Sequence, residues 1–286
     1  MLISVSGKIN SGKDTIGKIL QILLNNPHLN NEGVLSFLKK DINFDSPYYK
    51  TWQIKKFADK LKDIVCLLLN VDRETLEDRE FKEKELGEEW TCYKVTQLDK
   101  IINKCYLTEK EALTFIEYAS KYYFKEGVDK LEHFKVIKVN MTPRLLLQLI
   151  GTECGRQILH PNIWCNSLMS EYVKTYPPKE KGNMKVAVMP RKEYPNWIIT
   201  DIRFENELKA VKDKKGITIR VNRSFKHKVE SAGGKFSLGH DVTPSNEHES
   251  ETALDNAEFD YEINNDSSIE ELIEKVREIL IKEKLL

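Results

Sequence analysis

Short apolar runs and stretches of helical spacing follow one another along the chain. Residues 2–6 (LISVS) form an apolar run that stops at Gly7. Residues 13–24 (KDTIGKILQILL) then set Ile16, Ile19, Leu20 and Leu23 on one stripe, as a helix requires. Strand, glycine-rich turn and helix together open an α/β fold. The same alternation predicts a strand over 52–57 (WQIKKF) and a helix over 58–69 (ADKLKDIVCLLL). Thr142-Pro143 predicts a helix start, with Thr as N-cap and Pro in the first turn, running to about residue 150, where Gly151 lets it end or bend. A further helix is predicted across 162–173. WIIT (197–200) reads as a buried strand ending at Asp201, followed by a helix over 204–214 and a strand at 217–221 (ITIRV). A last strand at 259–263 (FDYEI) leads to Asp266-Ser267, which caps an amphipathic helix over 268–283 that buries Ile269, Leu272, Ile273, Val276, Ile279 and Leu280. The order predicts a three-layer α/β fold with a parallel sheet of about five strands.

Other stretches break this rhythm. Residues 25–50 are rich in Asn, Asp and Pro and read as a loop or variable insertion. Residues 72–130 are charged, lack strong strands and hold helical stretches near 73–86 and 108–125. They predict a mostly helical insertion or lid-like subdomain within a core built from 1–71 and 131–286. The segments 177–195, with four prolines, and 224–250, rich in Gly, Ser and His, read as loops.

Size and charge narrow the function classes. The chain has 286 residues, enough for one large domain or a domain with a subdomain at roughly 100–200 residues each. Lys and Arg total 45 and so do Asp and Glu, so the formal net charge is zero and a globally basic nucleic-acid binder is not expected. No apolar run approaches the ~18 residues needed to span a bilayer, so no membrane partner is expected. The opening MLISVSGK lacks the basic region of a signal peptide. The five cysteines contain no C-x-x-C pair, which points to a reduced, cytoplasmic protein without structural zinc. A homodimer is compatible with these features.

The sharpest motif is G-K-I-N-S-G-K at 7–13, followed by Asp14-Thr15. It matches the G-x-x-x-x-G-K phosphate loop and departs from it where Ser or Thr usually follows the lysine. Gly7 and Gly12 allow the sharp backbone turns that aim N–H groups of Lys8, Ser11 and their neighbours at phosphate. The helix that follows adds its positive end. Lys13 would reach the β- and γ-phosphates of a nucleotide. Either Asp14, through water, or the Thr15 hydroxyl would serve magnesium. The motif follows a strand and opens an apolar helix, the context that separates a phosphate loop from a chance Gly/Lys turn.

Two further constellations have open readings at this point. In TPRLLLQLIGTECGR (142–156), Arg144, Gln148, Thr152 and Arg156 recur every fourth residue. They form either a solvated face or a pocket wall in which Arg144 takes a phosphate and Gln148 reads a base edge. Trp164 stacks on a base or packs in the core. Asp201-Ile202-Arg203-Phe204-Glu205-Asn206-Glu207 follows the strand WIIT. Asp201 there is either a magnesium ligand at a strand end or a helix cap, and Arg203 and Glu207 either act on substrate or pair with each other. His240, Asp241, His248, Glu249 and Glu251 lack the tight spacing of a metal site.

GKINSGKDT, LLQLIGTECGRQ with Trp164 after it, DIRFENE and HESE (248–251) together resemble the deoxynucleoside monophosphate kinases of tailed bacteriophages. The resemblance frames most of the chain. The phosphate loop alone also resembles that of phosphomevalonate kinase. The family resemblance implies transfer of the γ-phosphoryl of ATP, with Mg2+, to a deoxynucleoside 5′-monophosphate, in the host cytoplasm for a phage-encoded chain. It implies that Gly7 to Thr15 serve phosphate and magnesium. Arg144, Gln148, Gly151, Thr152 and Trp164 match the monophosphate region, and Asp201, Arg203 and Glu207 match the D-x-R-x-x-x-E pattern. Arg144 then holds the acceptor phosphate and Arg203 stabilises charge on the moving phosphoryl, with Arg156 as a second candidate. The rival readings are another small-molecule kinase, such as a phosphomevalonate or dephospho-coenzyme A kinase, a nucleic-acid-associated ATPase, or a non-catalytic ATP-binding protein.

Overall fold

The computed structural model describes residues 1–40, 52–97, 100–101, 106–123, 134–175, 193–223 and 252–286. Its elements run β1 (Leu2–Gly7), α1 (Lys13–Asn25), α2 (Asn31–Lys40), β2 (Gln53–Lys55), α3 (Asp59–Leu69), α4 (Arg73–Glu77), α5 (Arg79–Glu83), β3 (Cys92–Gln97), β4 (Lys100–Ile101) and α6 (Glu109–Tyr123). Then come β5 (Phe134–Val139), α7 (Pro143–Gln148), a π-helix (Leu149–Leu159), α8 (Ile163–Met169), β6 (Trp197–Ile202), α9 (Glu205–Lys212), β7 (Ile217–Asn222), β8 (Tyr261–Asn264) and α10 (Ile269–Lys282). The chain forms two compact units, residues 1–60 with 160–286, and residues 61–159.

The first unit carries an all-parallel sheet in the order β2-β6-β1-β7-β8. Side chains alternate across it with the period of two that a strand imposes. Ile3 and Val5 join Ile16, Ile19, Leu20 and Leu23 of α1 and Leu272, Ile273 and Val276 of α10 on one face. Leu2 and Ile199 join Cys165 and Leu168 of α8 and Leu208 and Val211 of α9 on the other. The three-layer fold with five parallel strands follows the sequence reading. So does the start of α7, where Thr142 Oγ1 accepts from the Leu145 N–H at 3.2 Å and Pro143 occupies the first turn.

Three local expectations change. The loop or variable insertion expected at 25–50 contains α2, capped by Asn30, whose Oδ1 accepts from Gly33 N–H at 2.9 Å. Its Val34 is fully buried, and Leu35, Phe37 and Leu38 pack beside it. The Asn-rich flanks and the glycine in its first turn mask this short apolar face. The cap of α10 is Ser268, one residue after the expected pair, with Oγ accepting from Glu271 N–H. β6 runs one residue past its expected end at Asp201, to Ile202.

Helices make up most of the described residues of the second unit, and beside them stands a small sheet that the sequence reading did not include. β3 pairs antiparallel with β4 and β5, and α6 covers them, burying Val95 and Ala112. CYKVTQ carries little apolar content, so its alternation does not stand out in the sequence. The expected helix over 73–86 is two helices of five residues each, capped by Asp72 and Asp78, whose Oδ1 atoms accept from Thr75 and Phe81 N–H at 2.7 Å. The loops expected at 177–195 and 224–250 lie largely outside the described residues, as do HESE and the His240 to Glu251 group.

Glu77 organises this unit's charges. It pairs with Lys62, with Lys82 at 2.9 Å and with Arg73 at 3.5 Å. Burial pushes the Glu77 carboxyl up, but the Lys62 and Lys82 ammoniums outweigh it and hold the pKa near about 2. A depressed carboxylate contributes stability above its unfolded pKa and loses it as pH falls through its folded pKa. Glu77→Gln should therefore be less stable than the parent near neutrality. The gap should close as pH falls from about 4.5 to about 2, read from urea unfolding midpoints across that range.

Candidate active site

The loop between β1 and α1 reverses direction within five residues, and its glycines make that turn feasible. Gly7 pairs with Val221 in β7, and a Cβ there would lie 2.8 Å from the Val221 carbonyl oxygen and strike Ser11 Oγ. Gly12 caps α1 at φ +96°, and its missing Cβ leaves room for the Asn265 amide. Asn265 follows β8 and donates from Nδ2 to the Ser11 carbonyl at 2.8 Å. Arg223, at the end of β7, donates to the Asn10 carbonyl at 3.3 Å. Lys8 pairs with Asp255 at 3.3 Å. Lys13 is buried, with Nζ 3.4 Å from the Lys8 carbonyl, so its ammonium folds back over the loop. The Ser11 hydroxyl is buried and has no hydrogen-bond partner among the described residues. A cradle with an unsatisfied buried donor at its centre is what a phosphate oxygen fills.

The next turn carries acids and their counter-ions. Asp14 is exposed at the start of α1, followed by the half-buried Thr15. Asp14 Oδ1 lies 2.9 Å from Lys56 Nζ and accepts from Thr200 Oγ1 at 3.4 Å. The β1–β6 register shifts between Ser4 and Ser6, so β6 fits one more residue than β1 there. Such a bulge re-aims side chains. Here it turns Thr200 to Asp14, while Asp201 meets the β2–α3 turn. Asp201 Oδ1 accepts from Phe57 N–H at 2.8 Å and Oδ2 from Ala58 N–H at 2.9 Å. Withdrawal from water pushes the Asp201 carboxyl above its ordinary pKa, while the Ala58 and Phe57 N–H bonds and the charges of Lys56 and Arg203 pull it back. Both oxygens hold backbone N–H groups just before α3, and the helix that follows Asp201 is capped instead at Phe204.

Glu207 is buried, and its Oε2 accepts from the Arg203 N–H at 2.7 Å and the Phe204 N–H at 3.1 Å. It closes the first turn of α9 and fixes the backbone from which the Arg203 side chain leaves. Asn206 donates to the Pro161 carbonyl and the Asn162 side chain, tying the start of α9 to the start of α8, where Trp164 is buried.

The remaining sequence candidates belong to the second unit. Arg144 Nε pairs with Glu83. Gln148 ends α7, Thr152 and Gly151 are buried, and Arg156 is half-buried. A Cβ at Gly151 would press to 2.9 Å of Leu61. α7 ends at Gln148, before Gly151 is reached. There it widens into the π-helix that runs to Leu159.

A family model described as deoxynucleotide monophosphate kinase matches residues 1–276. The chain belongs to the deoxynucleotide monophosphate kinase family. The deoxynucleoside-5′-monophosphate kinase of Escherichia phage T5 is 25% identical to it over 231 residues, 72% of this chain and 70% of that relative. Membership makes the chain a nucleotide-using phosphotransferase, and the glycine-built loop is the part of the kinase that its sequence marked most sharply. Lys56, Thr200, Asn265, Arg223 and Asp255 escaped the sequence reading. Four of them sit at or just beyond the C-terminal ends of predicted strands, a signal used there only for Asp201. Among the described residues no group of three or more His, Cys, Asp or Glu gathers as a metal cluster, and no helix is long and apolar enough to cross a membrane.

The left-handed cap is open to a direct test in this kinase. Gly12→Ala adds a side chain where φ is +96° and where the Asn265 amide stands. It should cost about 1–2 kcal/mol in urea unfolding and weaken ATP binding at least tenfold. Adding Asn265→Ala should relieve the contact but leave the backbone cost.

Proposed function

We propose that this kinase transfers the γ-phosphoryl of ATP, in the presence of Mg2+, to a deoxynucleoside 5′-monophosphate. The observation that carries the reading is the buried, unpartnered Ser11 hydroxyl inside the loop of Gly7 to Lys13. Phosphoryl transfer asks the protein mainly for alignment and for neutralising charge on the moving group. The N–H groups from Lys8 to Asp14 and the Ser11 hydroxyl cradle the triphosphate, and Lys13 moves its ammonium from the Lys8 carbonyl to the β- and γ-phosphates. Asp14 and Thr15 would hold a magnesium ion, which would supply positive charge to the phosphoryl group in transfer. Asp201 supports that pair by fixing the turn that presents Lys56. Arg203 stabilises the charge of the transferring group, with Glu207 holding its backbone.

In the second unit, Arg144 takes the acceptor phosphate by exchanging the Glu83 carboxylate for it. Gln148 reads the base edge beside Gly151 and Thr152, and Trp164 is a substrate-binding residue of the first unit. Arg156 adds a second positive charge. The cysteine pattern, with no C-x-x-C pair in the sequence, supports a cytoplasmic setting.

The test is to supply ATP, Mg2+ and each common deoxy- and ribonucleoside monophosphate in turn and to measure ADP. ADP formation should depend on a deoxynucleoside monophosphate. ATP hydrolysis stimulated by DNA alone, or tight ATP binding without turnover, would overturn the reading. Lys13→Ala should lower turnover at least ~100-fold with the fold retained, because one contact to developing charge is worth roughly 3–4 kcal/mol. Arg144→Ala should raise the KM for the monophosphate far more than that for ATP, since a lost phosphate contact acts on one substrate.

A further inference from the structure

Lys56 is a cation beside the phosphate loop that no motif assigns. It follows β2 directly, and its main chain is held on three sides. Its own N–H donates to Asp59 Oδ2 at 3.0 Å, and the next two N–H groups donate to Asp201 at 2.8 and 2.9 Å. From this fixed base the side chain carries its ammonium to Asp14 Oδ1 at 2.9 Å. Thr200 Oγ1 reaches the same oxygen at 3.4 Å. Asp14 stands directly after Lys13, where a phosphate loop places its magnesium-facing hydroxyl. Lys56 thus holds one oxygen of the carboxylate that would be offered to a metal, and a divalent cation arriving at Asp14 meets a like charge at close range.

The geometry points to Lys56 as a stand-in cation: it occupies Asp14 while the site is metal-free and gives up that oxygen when a divalent cation arrives with the nucleotide. The inference rests on the reading of Asp14 as a magnesium-facing residue. Lys56 is a positioning residue that acts through Asp14, and two consequences oppose each other. In the metal-free site, Lys56 cancels an acid that would otherwise repel the incoming phosphates. In the loaded site, Lys56 competes with the metal. Removing its charge should thus weaken metal-free nucleotide binding and tighten metal binding. A surface ion pair with only a structural role would move neither.

The experiment uses the full chain with a non-hydrolysable ATP analogue and Mn2+, which reports binding by electron paramagnetic resonance. With saturating analogue, Lys56→Met should tighten the apparent Mn2+ dissociation constant about threefold, the scale of an exposed ion pair. In EDTA the same variant should bind the analogue about threefold more weakly. Lys56→Arg should stay within about twofold of the parent in both. Lys56→Gln, which keeps a donor without the charge, should follow Lys56→Met and gives a second neutral variant should Lys56→Met fold poorly. Equal unfolding midpoints identify the variants to compare. Unchanged or weaker Mn2+ binding in the neutral variants, beside a normal parent response, overturns this inference alone. Parent-like behaviour of Lys56→Gln also overturns it, because hydrogen bonding rather than charge would then be what Lys56 supplies. A parent chain that takes up no Mn2+ with the analogue overturns the loop reading and this inference together.

Discussion

β1 is sealed between β6 and β7, and every pairing in its sheet is parallel. Parallel pairing sends all five strands out at the same edge, and that edge is where ligands of open α/β sheets collect. Gly7 leaves β1 there, Lys56 follows β2, Thr200 and Asp201 sit near the end of β6, Arg223 follows β7 and Asn265 follows β8. Five separate parts of the sequence, up to 258 residues apart (265 − 7), are thereby set round one loop. The apolar residues of β1 make this arrangement stable, because Leu2, Ile3 and Val5 are each almost fully buried. The chemistry at the edge depends on that burial more than on any single polar contact.

Several polar groups at the edge are held by bonds to backbone. Asp201 accepts two N–H bonds, Glu207 accepts two, and Asn265 donates to a carbonyl of the loop. Bonds of a carboxylate to fixed N–H groups cost little side-chain entropy and are stronger than neutral pairs. Asp201 shows the balance between competing terms. Loss of hydration raises its pKa, and the two N–H donors and nearby cations recover part of that cost. A carboxylate used in this way fixes the β2–α3 turn and, through it, the direction of Lys56.

The layers were legible because periodicity reports burial, and burial is what the strands and α1, α9 and α10 share. The phosphate loop was legible because glycine at 7 and 12 answers a local need that no other residue meets. What lay hidden depends on neighbours distant in sequence. Nothing in WIITDIRFENE announces the register shift that parts Thr200 from Asp201, since a bulge is a property of two strands. Asn265 belongs to a polar run that reads as a helix cap until β8 is laid beside β7. The π-helix was hidden for another reason: its sequence repeats every four residues, and only the hydrogen bonding shows that the turn is wider. α2 and β3 were missed because each buries few side chains, so their patterns rise little above those of a loop.

The departure of this loop from the common pattern has a physical cost that its surroundings offset. An acid in place of the usual hydroxyl puts a negative charge beside the phosphates that the loop receives. The N-terminal end of α1 favours an anion there, by about 0.3–1 kcal/mol for an exposed group. That is too little to offset repulsion from a triphosphate, so a full positive charge is needed close by. On the proposed reading Lys13 is engaged by the phosphates and is not that charge. Lys56 can be, since its backbone is fixed by Asp59 and Asp201 and its ammonium already reaches Asp14. The acid at the loop and the lysine after β2 are thus two halves of one charge arrangement. The buried carboxylate of β6 is what keeps them facing each other.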